Sequence, residues 1–250
     1  MAYVIMLIVL SFVVGVSGGI TSIGGILVPP VLIEFYGVSP HVAMGSTQAS
    51  FIIPSGLAVL MFMRQGVMDW RMTWPLVVSG SLGTFISAQW IKPHLDGRVL
   101  TLFLALCIIL AGSLMFRKGG GRVISLEPKT RVRIIIVWGF VVGMLTGLTG
   151  GGGNAMLVPT MVAMGFPILT VLGACQLFTV VAACFATGAN IANHAIDLHD
   201  AFWLVVGQTP GIWVGVRIAR RMDTELLKKL VGGVCVGAGL FILVKSAMLL

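Results

Sequence analysis

Charge is what this sequence has least of. Only 10% of its 250 residues are Asp, Glu, Lys or Arg, against 58% hydrophobic residues and a mean hydropathy of +1.06. A soluble domain of this size needs more charge than that on its water-facing surface, which leaves lipid as the solvent. Positions 134–196 contain no Asp, Glu, Lys or Arg at all. One helical crossing takes roughly 20 apolar residues, so that tract enters the membrane more than once. Further uncharged runs cover 2–33, 35–63, 72–91, 99–116, 201–216 and 230–244, and the remainder is too short for a soluble domain. Cysteine is scarce as well. Cys107, Cys175, Cys184 and Cys235 all sit inside apolar runs without metal-ligand spacing, which argues against a disulfide framework or a zinc site.

What charge there is has a pattern. Sixteen Lys and Arg outweigh eight Asp and Glu, for a net charge of +8, but they lie between apolar runs, where the positive-inside rule puts them. The excess is a topology signal, and no nucleic-acid partner is expected. The N-terminal run has neither the basic region nor the cleavage site of a signal peptide and reads as a retained helix.

The chain also repeats itself at a shift of 128 positions, as from Gly15 to Gly143. Val13-Val14-Gly15 falls on Val141-Val142-Gly143, Gly19 on Gly147, Thr21 on Thr149 and Gly24-Gly25 on Gly152-Gly153; after a slip, Leu27-Val28-Pro29 falls on Leu157-Val158-Pro159. The register then resumes with Gly45 on Gly173, Gln48 on Gln176, Asp69 on Asp197 and Gly83 on Gly211. The expected organisation is a first transmembrane repeat at 1–116, a cytoplasmic basic linker at 117–133 and a second repeat at 134–250. Each half reads as a first helix, a Gly-rich break, a short segment (26–36 and 155–164) and three longer helices. The short segments hold too few residues to span untilted and are expected to be broken or re-entrant helices. Counting Lys and Arg in the loops places the linker and Arg217, Arg220, Arg221, Lys228 and Lys229 inside, and loop 188–200 outside. An odd number of segments, roughly five per half, predicts an all-α membrane protein with an inverted-topology internal repeat.

In such a repeat the substrate site forms near the midplane, where the broken segments meet. The candidates are Thr21, Ser22, Gly24 and Gly25 in the first break and Thr149, Gly152, Gly153 and Asn154 in the second. Glycine lets consecutive N–H groups converge on an anion, aided by the positive end of the following helix. Close helix packing is the alternative, since Gly15 with Gly19 and Gly143 with Gly147 form GxxxG spacings. A second symmetric pair comprises Ser46, Thr47 and Gln48 and the matching Cys175 and Gln176. Polar groups at such depth are costly without partners. The two glutamines either donate to an anion or bridge helices, and Cys175 is a small packing residue or a contact for a sulfur-containing ligand. Because no Lys or Arg lies deep in an apolar run, an anion would be held by neutral dipoles. Glu34 is the one acid inside an apolar region; it is either a proton-coupling group or a residue that snorkels to the interface. His194, Asp197, His199 and Asp200 cluster in one loop, without the i, i+4 histidine pair of a helical metal site, and no metal or cofactor is expected. The chain offers no H-E-x-x-H and no G-x-S-x-G, so an intramembrane enzyme is the weaker alternative to a carrier.

These motifs resemble the TauE/SafE (TSUP) family of sulfite and organosulfonate exporters. The residues that carry the likeness are Gly143 through Gly153-Asn154-Ala155-Met156-Leu157-Val158-Pro159 and, with a shorter glycine run, Gly19 through Gly25-Ile26-Leu27-Val28-Pro29. The resemblance implies a multi-pass protein of the bacterial cytoplasmic membrane that exports sulfite, sulfoacetate or a related organosulfonate, with uptake of thiosulfate as the second reading. A homodimer packed through Gly233 and Gly237 is a further expectation.

Overall fold

The computed structural model describes residues 2–91, 109, 113, 128–149 and 153–248, and every regular element among them is helical. Helix α1 (Ala2–Thr21) is followed by a 3-10 turn (Gly24–Leu27) that runs into α2 (Val28–Tyr36). Then come α3 (Pro40–Ser50), α4 (Ile52–Arg64) and α5 (Trp70–Ile86), which a π-helical turn (Ser87–Ile91) prolongs. The second half comprises α6 (Pro128–Thr149), α7 (Gly153–Ala163), α8 (Ile168–Ala192), α9 (Leu198–Arg221) and α10 (Thr224–Met248). The helix expected at 99–116 and most of the linker lie outside the described residues, apart from 128–133, which form the first turns of α6.

Among the described residues, four stretches are long and apolar enough to cross a membrane: Tyr3–Thr21, His41–Arg64, Thr130–Leu148 and Ile168–Ala192. Their surfaces invert the pattern of a soluble protein. Ile5, Val9, Val13, Ile53, Leu60 and Val137 face outward, while Ser46, Thr47, Gln48, Ser50, Gln176 and Asn190 are buried. Polar groups turn inward because lipid offers them no hydrogen-bond partner.

Helix boundaries follow the sequence repeat. Helices α3 and α4 together start at Pro40 and end at Arg64; α8 starts at Ile168 and ends at Ala192, each 128 positions on. Asp69 caps α5 and Asp197 caps α9, each accepting a backbone N–H from two residues on, with nearly the same dihedral angles. Left-handed residues also fall in pairs, Gly37 with Gly165 (φ 66° and 88°) and Gly66 with His194 (φ 69° and 52°), where each chain leaves a helix. The halves differ at one place that the uncharged run 35–63 does not reveal. The first half is broken at Phe51, where α8 is continuous, because Pro54 has no N–H and its ring crowds the carbonyl of Ser50; the second half has Ala182 there.

The halves are interlocked through reciprocal contacts. Helix α1 runs parallel to α9, with Gly15 against Gln208, Gly19 against Ile212 and Gly215, and Gly211 against Phe12. In the matching pair α5 runs parallel to α6, with Gly143 against Gly80, Gly147 against Thr84 and Gly83 against Phe140. The equivalent helices α3–α4 and α8 run antiparallel, since Gln48 meets Asn190 and Phe62 lies against Gly173. In lipid no hydrophobic effect drives helix against helix, so close backbone approach at small residues supplies the packing energy. A Cβ at Gly143 would overlap the carbonyl of Gly80, whereas one at Gly56 meets nothing within 4 Å. We therefore expect Gly143→Val to abolish the monodisperse detergent-solubilised protein and Gly56→Ala to leave it intact. Equal melting curves for the two variants would remove the assigned role from the glycine contacts.

Candidate functional site

The first break is built locally. The Thr21 hydroxyl donates to the Ser17 carbonyl (2.8 Å) and accepts from the Ile23 N–H (3.2 Å), which ends α1. Ser22 then adopts φ 60°, a left-handed conformation that costs a non-glycine residue about 1 kcal/mol or more. The turn folds the following segment back along α1, and Tyr36 at the end of α2 meets Tyr3 near the start of α1, ring centroids 4.5 Å apart. Two glycines permit this. A side chain at Gly24 would strike the Val14 carbonyl, and one at Gly25 would strike the Phe51 ring.

The second break lies against the first. Gly153 packs on the carbonyl of Val142, the counterpart of Val14, so in space it is Gly153, not the sequence-aligned Gly152, that matches Gly24. Next to it, the Asn154 side-chain amide donates to the Ser22 carbonyl at 3.1 Å and to Thr179 Oγ1 at 2.8 Å. The second break thereby touches the vertex of the first. On either side stand the paired glutamines. Gln176 Nε2 donates to the Gly18 carbonyl at 3.0 Å and to Ser22 Oγ at 3.2 Å; Gln48 Nε2 donates to the Thr146 carbonyl at 3.3 Å. Gly18 and Thr146 are themselves 128 positions apart, so each half sends its glutamine to the last turn of the other half's first helix. The Gly18 carbonyl also accepts the Ser22 N–H at 2.8 Å, so Gln176 is its second donor.

Between these groups is a cavity of about 40 Å³ lined by Gly18, Ser22, Gly24, Gly25, Gln48, Phe51, Ser55, Thr146, Asn154, Gln176, Thr179, Ala182, Ala183 and Ile212. None of the described lining side chains is ionisable. A water needs roughly 10–15 Å³ on this measure, so the space suits a few waters or one small ion. Of the sequence candidates, Ser22, Gly24, Gly25, Gln48, Asn154 and Gln176 come together here. Thr21, Ser46, Thr47, Gly153 and Cys175 do not line it. Thr21 shapes the break; the Ser46 hydroxyl accepts from the Asp197 N–H (2.8 Å); the Thr47 hydroxyl donates to the Ala43 carbonyl (2.6 Å); Gly153 and Cys175 are packing residues. Gly152 and the side chains of Thr149 and Glu34 lie outside the described residues. Sequence reasoning missed Thr146, Thr179, Phe51 and Asn190. The last donates to Gln48 Oε1 at 2.8 Å and is buried, and an amide inside an uncharged run was signal enough to find it.

The loop cluster is occupied with structural work. Asp197 caps α9, accepting from the backbone of His199 and Asp200; Asp200 accepts from the Tyr3 hydroxyl at 2.7 Å and pairs with His199 Nδ1 at 3.5 Å; His199 Nε2 accepts from Trp203. Although Asp197, His199 and Asp200 stand close enough to share an ion, their ligand atoms already have partners. These contacts tie the start of α1 to α9. Tyr3→Phe and Asp200→Ala should each lower the melting temperature, while the double variant loses no more than the larger single; additive losses would mean the pair is not coupled.

The comparisons with known proteins agree with the geometry. The family described as sulfite exporter TauE/SafE matches residues 5–242. A probable membrane transporter protein of Xylella fastidiosa (strain Temecula1) is 26% identical, covering 94% of this chain and 91% of its own. The probable membrane transporter proteins YunE and YjnA of Bacillus subtilis (strain 168) are 24% and 25% identical, over 91% and 94% of this chain and 92% and 97% of their own. No solved structure matches. An all-helical chain with lipid-suited faces, two opposed helix breaks and a match along nearly its whole length belongs to the TauE/SafE family of membrane transporters.

Proposed function

We propose that this protein exports a small sulfur-containing anion, such as sulfite, sulfoacetate or a related organosulfonate, across a bacterial inner membrane that it crosses several times. The observation that carries the reading is the uncharged cavity between the two breaks, walled by Gln48, Asn154 and Gln176. Neutral dipoles hold an anion more weakly than a fixed cation would, which suits release. The antiparallel pairing of α3–α4 with α8 supports halves of opposite orientation in the membrane, and so an alternating-access carrier that rocks about a midplane site. The sulfur in the substrate rests on the family description.

Export fits the energetics. An inside-negative potential drives a monovalent anion outward by about 2.3 kcal/mol per 100 mV, so no coupling ion is required. Among the described residues that line the cavity none is ionisable, which favours this over coupled uptake of thiosulfate. It also favours transport over intramembrane catalysis, which would need an acid, base or activated nucleophile there.

Gln48→Ala and Gln176→Ala should each cut sulfite efflux from proteoliposomes roughly tenfold while the protein still inserts, since each removes a polar wall group that donates to a helix-end carbonyl. Unchanged efflux in both would end the assignment of the site. His199→Ala should leave efflux as it is. Clamping the liposome potential sets the direction: outward anion flux that grows with an inside-negative potential is the expected result, and flux that requires an added sodium or proton gradient would favour the uptake reading.

A further inference from the structure

Resting on the transport reading, we infer that the anion taken by this cavity carries a hydrogen-bond donor of its own, an O–H or N–H, so that an aprotic anion of the same size and charge is a poor substrate. The hydrogens of the amides in the wall decide this. An Asn or Gln side chain has two N–H hydrogens and one carbonyl oxygen, and a backbone carbonyl as partner fixes which end is the nitrogen. Asn154 spends one hydrogen on the Ser22 carbonyl and the other on Thr179 Oγ1, whose own hydrogen goes to the Cys175 carbonyl at 2.8 Å. Its Oδ1 is buried and has no donor among the described residues. Gln176 likewise spends both hydrogens, on the Gly18 carbonyl and on Ser22 Oγ. What these two amides can still offer a guest is oxygen.

Gln48 is turned the other way. Its Oε1 is taken by Asn190 and one hydrogen by the Thr146 carbonyl, which leaves one N–H hydrogen. The Thr146 hydroxyl is also spent, on the Val142 carbonyl at 2.9 Å. The cavity is therefore polarised, with an amide donor at Gln48 and amide acceptors at Asn154 and Gln176. An aprotic anion can satisfy the Gln48 N–H and the Ser55 hydroxyl, but any oxygen it turns toward Asn154 and Gln176 meets an amide oxygen, and Asn154 Oδ1 stays orphaned in a desolvated site. A monoanion with a hydrogen to give satisfies both ends. The hydrogen form of a sulfur oxyanion meets this description, as does an amino-substituted sulfonate, whereas sulfoacetate, an aprotic dianion at neutral pH, does not and drops from the substrates named above.

Sulfamate and methanesulfonate make the test, because both are monoanionic RSO3 groups of similar size and only sulfamate has N–H donors. Their fluxes would be measured separately on the unaltered protein in proteoliposomes, together with sulfite efflux. We expect sulfamate to move roughly tenfold faster or more, the usual effect of one hydrogen bond made or missed at a buried acceptor. Equal fluxes for the two, with sulfite still transported, would overturn this inference and leave the transport reading standing; a resident water on Asn154 Oδ1 gives that result. If sulfite, sulfamate and methanesulfonate all fail to move, the transport reading fails and the inference with it. Thr179→Val keeps the side-chain shape and releases one Asn154 hydrogen toward the cavity. It should narrow the sulfamate preference several-fold, and an unchanged preference would show that Asn154 is not its source.

Discussion

A polar group inside a bilayer has to find its partner within the protein, and the architecture of this transporter follows from that requirement. Two helix breaks at depth expose carbonyls and N–H groups that water would otherwise satisfy. The chain answers with three buried amides. Gln48 and Gln176 reach across to the ends of α6 and α1, and Asn154 reaches from the second break to the Ser22 carbonyl in the first. Each such bond is worth only about 1 kcal/mol net, but a missing one costs the full desolvation of the orphaned group. The same residues that make the breaks tolerable also give the cavity its polarity, so structural and functional roles cannot be assigned to separate side chains here.

The interlocking of the halves has the same origin in lipid. With no water to expel, α1 and α9, and α5 and α6, are held by contact, and contact at backbone distance requires Gly15, Gly19, Gly143 and Gly147. Helix α1 packs mainly against α9 and α6 mainly against α5, so each first helix packs against a helix of the other half. A half is thus not an independent body with a face to spare, and relative motion of the breaks has to work against these parallel helix pairs.

Symmetry is exact enough to recognise and loose enough to be useful. Phe51 stands where the second half has Thr179, Pro54 where it has Ala182, and Ser55 where it has Ala183. The substitutions make one wall of the cavity aromatic and kinked and the other hydrogen-bonding. Thr179 is free to receive the Asn154 amide because no ring occupies its place, and this sets which atom of Asn154 remains for a guest.

Much of this was legible in the residues alone. Scarcity of charge determined that the chain lies in lipid, the 128-residue register determined the duplication, and the pairing of Gly-rich breaks with Gln48 and Gln176 pointed to residues that line one cavity, because depth in an apolar run makes polar residues expensive wherever they occur. The sequence could not separate Ser22, Gln48, Asn154 and Gln176, which line the cavity, from Thr21, Ser46, Thr47 and Cys175, which do not. One residue along a helix turns a side chain by about 100°, and which direction is inward depends on the neighbour. It likewise could not reveal Thr146, Thr179 or Asn190, or that the Asn154 and Gln176 nitrogens are already engaged. Hydrogen-bond direction depends on partners far away in the chain, as Gln48 and Asn190 are, and only the tertiary structure brings those partners together.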